Sequence, residues 1–477
     1  VEIRRMIFAS FEFLFLFLPA FFLTCFVVPA RFRNWVILLF SWAFYAWWRV
    51  DFLALLVGVT VWTFVLARIL DGTPSSEGRN RLLLLGLAGQ LGVLGYFKYA
   101  NFGVQTFNDL MALAGGTPAP WAEIILPVGL SFYVLQSVSY LMDVWRREVA
   151  VSRDFISYAA YKAMFSQLIA GPIVRYSEID YDLRHRVHTI EKFGLGARRF
   201  MIGFAMKVLI ADTIAPVVDA VYLLPDPTTA DAWTGAIAYT LQLFFDFAGY
   251  SAMAIGLATM CGFRFPENFN HPYLAANIQE FWQRWHMTLS RFLRDYLYIS
   301  LGGNRRGPVR TYVNLLLTMV IGGLWHGAAW TFVLWGFWHG ALLALHRFWR
   351  GQGNGPMGWL PAHALLILAV ILGWVAFRAP SFESAFTIYF AMFGQNFGGI
   401  SDALAWQVTP DQWWCLWLGI LLVYVPLLGN RLPLLRQPDG ITGLWRPVWA
   451  YWPLAAFVLG LVLLYSRAAV PFLYFQF

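Results

Sequence analysis

The chain has 477 residues, of which 59% are hydrophobic and only 13% charged. A soluble domain carries about 25% charged residues, so this composition excludes an ordinary soluble protein and points to an integral membrane one. The net charge of +8 sits in short loops between apolar runs. That is the signature of the positive-inside rule, not of a nucleic-acid binder.

No Walker loop, dinucleotide glycine fingerprint, HExxH or CxxC occurs in the sequence. The three cysteines, Cys25, Cys261 and Cys415, are scattered through apolar runs. They fit neither a disulfide framework nor a zinc spacing, and read as small buried hydrophobes. No segment reads as a separate soluble domain, so 1–477 is expected to form a single polytopic domain.

Residues 1–5 are atypical for a membrane protein, and a start at Met6 (MIFASFEFLFLFLP) reads better. The first apolar run, 7–28, is long enough to span about 30 Å of hydrocarbon. It has no small-residue cleavage site before Arg31 and reads as a retained span, not a signal peptide. Further spans are expected at 35–48, 52–70, 82–99 and 124–145. Basic residues follow the first (Arg31, Arg33), the third (Arg68, Arg79, Arg81) and the fifth (Arg146, Arg147, Arg153). This alternation puts the N-terminus outside and those loops in the cytoplasm. The Arg4–Arg5 pair then falls on the wrong side, which again favours Met6.

The stretch 158–174, YAAYKAMFSQLIAGPIV, is followed by a loop rich in arginine, lysine and histidine. A full crossing would place that positive loop outside, against the charge rule. The stretch is therefore expected to be re-entrant or half-buried, broken at Gly171-Pro172. Irregular backbone at membrane depth is tolerated only where protein or a water-filled cavity surrounds it. Spans at 197–218 and 233–261 follow, joined by a loop without basic residues. Within the cytoplasmic stretch after them, 278–301 is amphipathic at 100° per residue. Phe281, Trp285, Leu289, Phe292 and Tyr296 form one stripe, and Glu280, Arg284, Arg291 and Arg294 lie opposite. It reads as one helix lying in the interface plane. The remaining spans are expected at 313–330, 332–345, 364–377, 412–428 and 451–465. Arg347, Arg350, Arg431, Arg436 and Arg446 fall in the loops between them that should be inside. The total is about twelve crossings with both ends outside, and no transporter-like internal repeat is evident.

Eight histidines are present. His185 and His188 lie in a basic polar loop, and His363 looks interfacial at the edge of an apolar run. His346 lies at a cytoplasmic helix end, where the dipole favours a cation. His271, His286, His326 and His339 remain. His326 lies in IGGLWHGAAWTFVLWGFWHG (321–340), roughly thirteen residues and about 20 Å into its span. Imidazole is costly at that depth without a task or a partner, and position alone leaves a functional and a structural histidine equally open. His339 reads as packed among Trp335 and Trp338. His286 falls on the boundary between the buried and wet faces of the amphipathic helix. Small residues at Gly322, Gly323, Gly327, Ala328 and Ala329 let backbones or a substrate approach closely. Of the acids, Asp246 lies inside a span, and Lys207 and Asp212 are placed to pair structurally, since a buried carboxylate needs a partner.

The run 265–303, FPENFNHPYLAANIQEFWQRWHMTLSRFLRDYLYISLGG, continues into NRRG and then GGLWHGAAW. Together they resemble the membrane-bound O-acyltransferase superfamily, and within it the branch that serves alginate O-acetylation in bacteria. FYAWWRVDF (44–52), GYFKYANF (95–102), QLIAGPIVRY (167–176), QLFFDFAGYS (242–251) and the terminal PFLYFQF carry the resemblance over nearly the whole chain. It implies an all-α fold of about eleven to twelve transmembrane helices ringing a thin central passage, with re-entrant and interfacial pieces. It implies His326 as the catalytic group and His286 on the cytoplasmic side of the same passage, both within a core block at 265–345. Trp325, Trp282, Trp285, Asp246 and Asn304 become substrate or passage-lining residues. Arg284 and Arg305 become contacts for the phosphates of the donor, although inward-facing positive charge explains them as well. The sequence departs from the branch after DFAGYS, where Ala252 and Met253 replace an aspartate and a methionine.

The resemblance further implies an acetyl donor, acetyl-CoA, as substrate, with no bound cofactor or metal. It implies residence in the bacterial inner membrane and periplasmic acetyltransferase or relay partners that modify an exported polysaccharide. Cellulose, peptidoglycan or teichoic acid are alternative acceptors, and a transporter or a scaffold is the reading from another class. The chemistry suits a histidine. A neutral imidazole, with an ordinary pKa near about 6.5, removes a hydroxyl proton as the hydroxyl attacks a thioester.

Overall fold

The computed structural model describes residues 6–169, 171–431, 445–467 and 472–473. The expectations for the start of the chain and the Arg4–Arg5 pair lie outside them. So do those for the side chains of Arg431, Arg436 and Arg446, and for PFLYFQF apart from Phe472 and Leu473. The regular structure of the described residues is helical, with no β-strand among them. Seven of their helices are long and apolar enough to cross a membrane: Val50–Gly72, Ser76–Leu113, Ile190–Tyr222, Thr229–Met260, Trp359–Arg378, Pro410–Gly429 and Pro447–Ser466. The protein is thus an all-α, multi-pass membrane bundle. Shorter or less apolar helices cover Glu12–Val27, Arg33–Ala46, Leu130–Arg146, Pro308–His326 and Trp330–Gly351.

Large apolar side chains stay exposed along the first helix, at Phe15, Leu16 and Leu23, and on another at Trp414, Trp417 and Leu421. In lipid such a face costs nothing, because the acyl chains are as apolar as the side chains. The polar ends are capped in the ordinary way. Ser75 accepts from Gly78 N–H, Asp154 from Ile156 and Ser157 N–H, and Thr409 with Gln412 forms a capping box.

The chain folds as two compact units, Val1–Gly196 with Leu257–Pro266, and Ala197–Gly256 with Glu267–Phe477. In the first unit, buried Arg79 reaches three helix-terminal carbonyls. It donates to Leu70 O at 2.9 Å, Val144 O at 3.1 Å and Trp145 O at 2.8 Å. These are the C-terminal acceptors that a helix cannot satisfy itself.

Two expectations in this unit shift. The span expected at 124–145 is helical only over Leu130–Arg146. The residues before it are irregular, and Gly129 takes φ 73°. A Cβ there would stand 2.4 Å from Leu168 O, so only glycine fits. The stretch at 158–174, expected to be re-entrant or half-buried, is buried at its described residues, and it breaks at Met164 as well as at Gly171-Pro172. The helix Phe155–Ala163 ends at Met164, where ψ swings to 112°. Side chains then serve the irregular backbone: Ser41 Oγ accepts from Phe165 N–H at 3.0 Å, and Tyr161 O–H donates to Val174 O at 3.0 Å. Buried backbone that leaves the helix needs such partners.

In the second unit the helices Pro308–His326 and Trp330–Gly351 form an intimate pair. A Cβ on Gly323 would fall 2.2 Å from Phe332 O, and one on Gly336 would fall 2.4 Å from Met319 O. Gly323, one of the small residues expected to permit close approach, and Gly336 thus serve helix-to-helix approach.

Candidate active site

Gly327 determines where the site falls. It is extended (φ −154°, ψ 149°) and ends the helix Pro308–His326, and the chain restarts as a helix at Trp330. The expected division at 313–330 and 332–345 therefore moves. His326 is the last residue of its helix, about 27 Å of helical rise from Pro308. It is buried, ringed by Trp325 at 5.0 Å, Trp335 at 5.1 Å and Phe377 at 5.2 Å between centroids.

The expected single helix at 278–301 is instead broken near its middle. Ile278–Arg284 stops at Trp285, which is extended. His286 then takes the left-handed conformation, φ 40° and ψ 55°, before Met287–Phe292 begins. Such a backbone costs a non-glycine residue about 1–2 kcal/mol and persists only where its surroundings hold it. Because the chain turns there, the 100° count does not carry across. His286 is fully buried, not at the edge of an amphipathic face. Its ring lies 6.4 Å from that of His326 and 6.1 Å from that of Trp325. The left-handed turn brings the two histidines together.

Asn268, which is not among the expected site residues, holds this turn. Its Oδ1 accepts from Thr288 N–H at 3.3 Å and from the Thr288 hydroxyl at 2.9 Å. Its Nδ2 donates to Ser251 Oγ at 3.0 Å, and its backbone carbonyl accepts from Met287 N–H at 2.9 Å. His286 Nδ1 lies 3.1 Å from the same Oδ1. The orientation of the amide is set by Thr288, whose backbone N–H can only donate. Nδ1 must then carry the proton, which leaves the lone pair of neutral His286 on Nε2. Burial pushes the pKa of His286 down to about 3, because a low-dielectric setting disfavours the charged ring. Nothing in periodicity marks Asn268, which sits in an irregular loop.

The other expected site residues separate. Trp325, Trp282 and Trp285 are all buried. Trp282 stands 5.7 Å from Trp335, and Trp285 packs on Tyr273, Phe281 and Trp374. Asp246 turns to Lys207, 3.0 Å away, and accepts from Leu473 N–H at 2.9 Å. Lys207 also binds Asp212, as the structural reading of that pair expects. The neighbour of Asp246, Phe247, meets the His286 ring edge-on at 4.7 Å. Asn304 and Arg305 are exposed in the loop before Pro308. Buried Asn314 anchors that loop by donating to Gly303 O at 2.9 Å. Arg284 pairs with Glu280 at 2.6 Å. His363, expected to be interfacial, is buried with both nitrogens engaged, Nδ1 with Ala275 O and Nε2 with Tyr424 Oη, each at 3.0 Å. Among the described residues no group of three or more histidine, cysteine or acidic side chains could hold a metal ion.

Comparison with known proteins shows the family. The profile of the membrane-bound O-acyltransferase family matches residues 121–356, a stretch that contains His286, Asn268 and His326. The chain is 45% identical to the probable alginate O-acetylase of Azotobacter vinelandii, covering 99% of this chain and 100% of that one. It is 45% identical, with the same coverage, to the probable alginate O-acetylase of Pseudomonas putida. The peptidoglycan O-acetyltransferase of Helicobacter pylori is 37% identical over 80% of this chain and 79% of its own.

Proposed function

Since the chain belongs to the membrane-bound O-acyltransferase family, we propose that it is a bacterial inner-membrane O-acetyltransferase that passes acetyl groups from cytosolic acetyl-CoA across the membrane for O-acetylation of an exported polysaccharide, alginate. The observation that carries this reading is the 45% identity, end to end, with probable alginate O-acetylases. The paired buried histidines supply chemistry that fits it. In this reading the helices ring a thin passage within a single polytopic domain, and 265–345 is its catalytic block. Periplasmic acetyltransferase or relay proteins receive the acetyl group.

His326 acts as the general base. A hydroxyl oxygen attacks the thioester carbonyl carbon, the C–O bond forms, and the C–S bond breaks. The hydroxyl proton passes to the imidazole and then to the departing thiolate, so the base is regenerated. The buried, aromatic surroundings of His326 keep water from competing for the acyl group. His286 acts beside it as an acceptor through Nε2, held at one tautomer by Asn268. Exposed Arg305 is the better placed of the two expected arginines to meet donor phosphates, because Arg284 already holds the carboxylate of Glu280. Trp325, Trp282 and Trp285 line the passage.

The test is the acetyl-ester content of secreted polymer from cells with wild type or His326→Ala at matched membrane levels. We expect the variant to fall to background, and unchanged acetylation overturns the reading. A second reading, peptidoglycan as acceptor, is favoured by the Helicobacter pylori relative alone. It predicts that the lost esters are those of the cell wall.

A further inference from the structure

Four neighbouring polar nitrogens in the second unit, Trp282 Nε1, Trp335 Nε1, and both Nδ1 and Nε2 of His339, lie buried without a hydrogen-bonding partner among the described residues. Their rings form one box. Trp335 and His339 stand 4.9 Å apart, Trp282 and His339 5.3 Å, and Trp282 and Trp335 5.7 Å. Phe281 and Trp374 close it at 6.1 Å and 6.0 Å from His339. A Cβ on Gly373 would stand 2.9 Å from His339 Nε2, so the absence of a side chain there leaves room for that edge of the ring. His339 is fully buried. Leaving a buried polar group unmet is costly, and native structures rarely do so without a use.

The chemistry of the box selects its ligand. An indole nitrogen donates and cannot accept, so the box supplies two fixed donors and an imidazole. Its walls are aromatic and carry no cation, which argues against a phosphate or carboxylate as the ligand. What fits is a neutral acceptor flanked by small apolar surface. The box adjoins the base directly, because the Trp335 ring is 5.1 Å from His326 and 4.9 Å from His339. Resting on the acetyl-transfer reading, we propose that Trp282, Trp335 and His339 form the subsite for the acyl carbonyl of the donor thioester. This gives His339 a binding task in place of the packing role expected of it. It also explains why indoles stand where phenyl rings would pack as well.

The test uses the full-length protein in detergent or nanodiscs and two probes. Acetyl-carba(dethia)-CoA keeps the carbonyl but cannot be cleaved, and S-ethyl-CoA lacks it. Wild type is expected to bind the first about tenfold more tightly, the worth of roughly one good hydrogen bond. Trp335→Phe and His339→Phe each keep a ring in the box and delete one of its donors. Each is expected to lower the ratio by about threefold or more, and the double variant to bring it close to one, while affinity for S-ethyl-CoA holds. A variant that fails to fold is replaced by the other, or by Trp282→Phe. Unchanged discrimination in folded variants overturns the proposal and means that water meets these nitrogens. Absence of discrimination in wild type overturns it too, and is the result expected if the box takes an acceptor hydroxyl. Wild type that binds neither probe and leaves polymer unacetylated overturns the transferase reading and the box with it.

Discussion

Two buried histidines in the second unit show opposite environments. His363 has both nitrogens engaged, by Ala275 O and Tyr424 Oη, and a tryptophan, Trp359, stacked on its face at 4.7 Å. His339 has neither nitrogen met among the described residues and is walled by rings on several sides. The first is a histidine spent on structure, joining the loop at Ala275 to two helices. The second holds unmet hydrogen-bonding capacity, as the subsite proposed for it requires. Burial alone does not distinguish the two; the partners of the ring nitrogens do.

The largest effect that sharpens this contrast pairs His326→Ala with His363→Phe. The first is expected to lower acetyl transfer by about 100-fold or more, the usual worth of a general base. The second is expected to leave transfer within about twofold and to lower thermal stability, by about 1–3 kcal/mol for its two lost bonds, read as the melting temperature in detergent. A His363→Phe protein that is stable but inactive would break the distinction.

Asn268 gives an intermediate effect. Asn268→Ala removes the acceptor of His286 Nδ1–H and frees the left-handed turn. Transfer is expected to fall about tenfold with donor affinity unchanged, because the lost group positions a ring and meets no substrate. Loss of donor affinity instead would place Asn268 in the binding surface.

The smallest effect is one of pH. Folded His286 binds a proton only below about pH 3, and the unfolded ring binds one below 6.5. Between those values the unfolded state holds more protons, so stability is full above pH 6.5 and declines as pH falls towards 3. His286→Gln is expected to flatten that decline in the melting temperature. An unchanged slope means that other groups set it.

The sequence made much of this legible. Composition gave the membrane class, and the GGLWHGAAW motif singled out His326 through resemblance where position left it open. Helical periodicity placed the buried stripe from Phe281 to Tyr296, because each short helix keeps its own phase. It misplaced His286, since the count of 100° per residue assumes an unbroken helix and a left-handed residue resets it. The start of the helix at Leu130 was hidden for a similar reason: hydropathy does not register that Gly129 must turn against Leu168 O. Asn268 carried no signal, because a loop side chain that bonds backbone has neither period nor charge. The aromatic box was invisible because an unmet indole nitrogen reads as an ordinary tryptophan.

Arg79 has a consequence for motion. Helix ends ordinarily fray independently, each opening its last turn without regard to the others. Here one guanidinium holds Leu70, Val144 and Trp145 carbonyls at once. The ends of Val50–Gly72 and Leu130–Arg146 are therefore coupled, and neither opens without loosening the other. In amide exchange the two termini would show a shared protection that neither sequence explains alone, and Arg79→Lys, with one nitrogen in place of the two that hold the three carbonyls, would let them exchange separately.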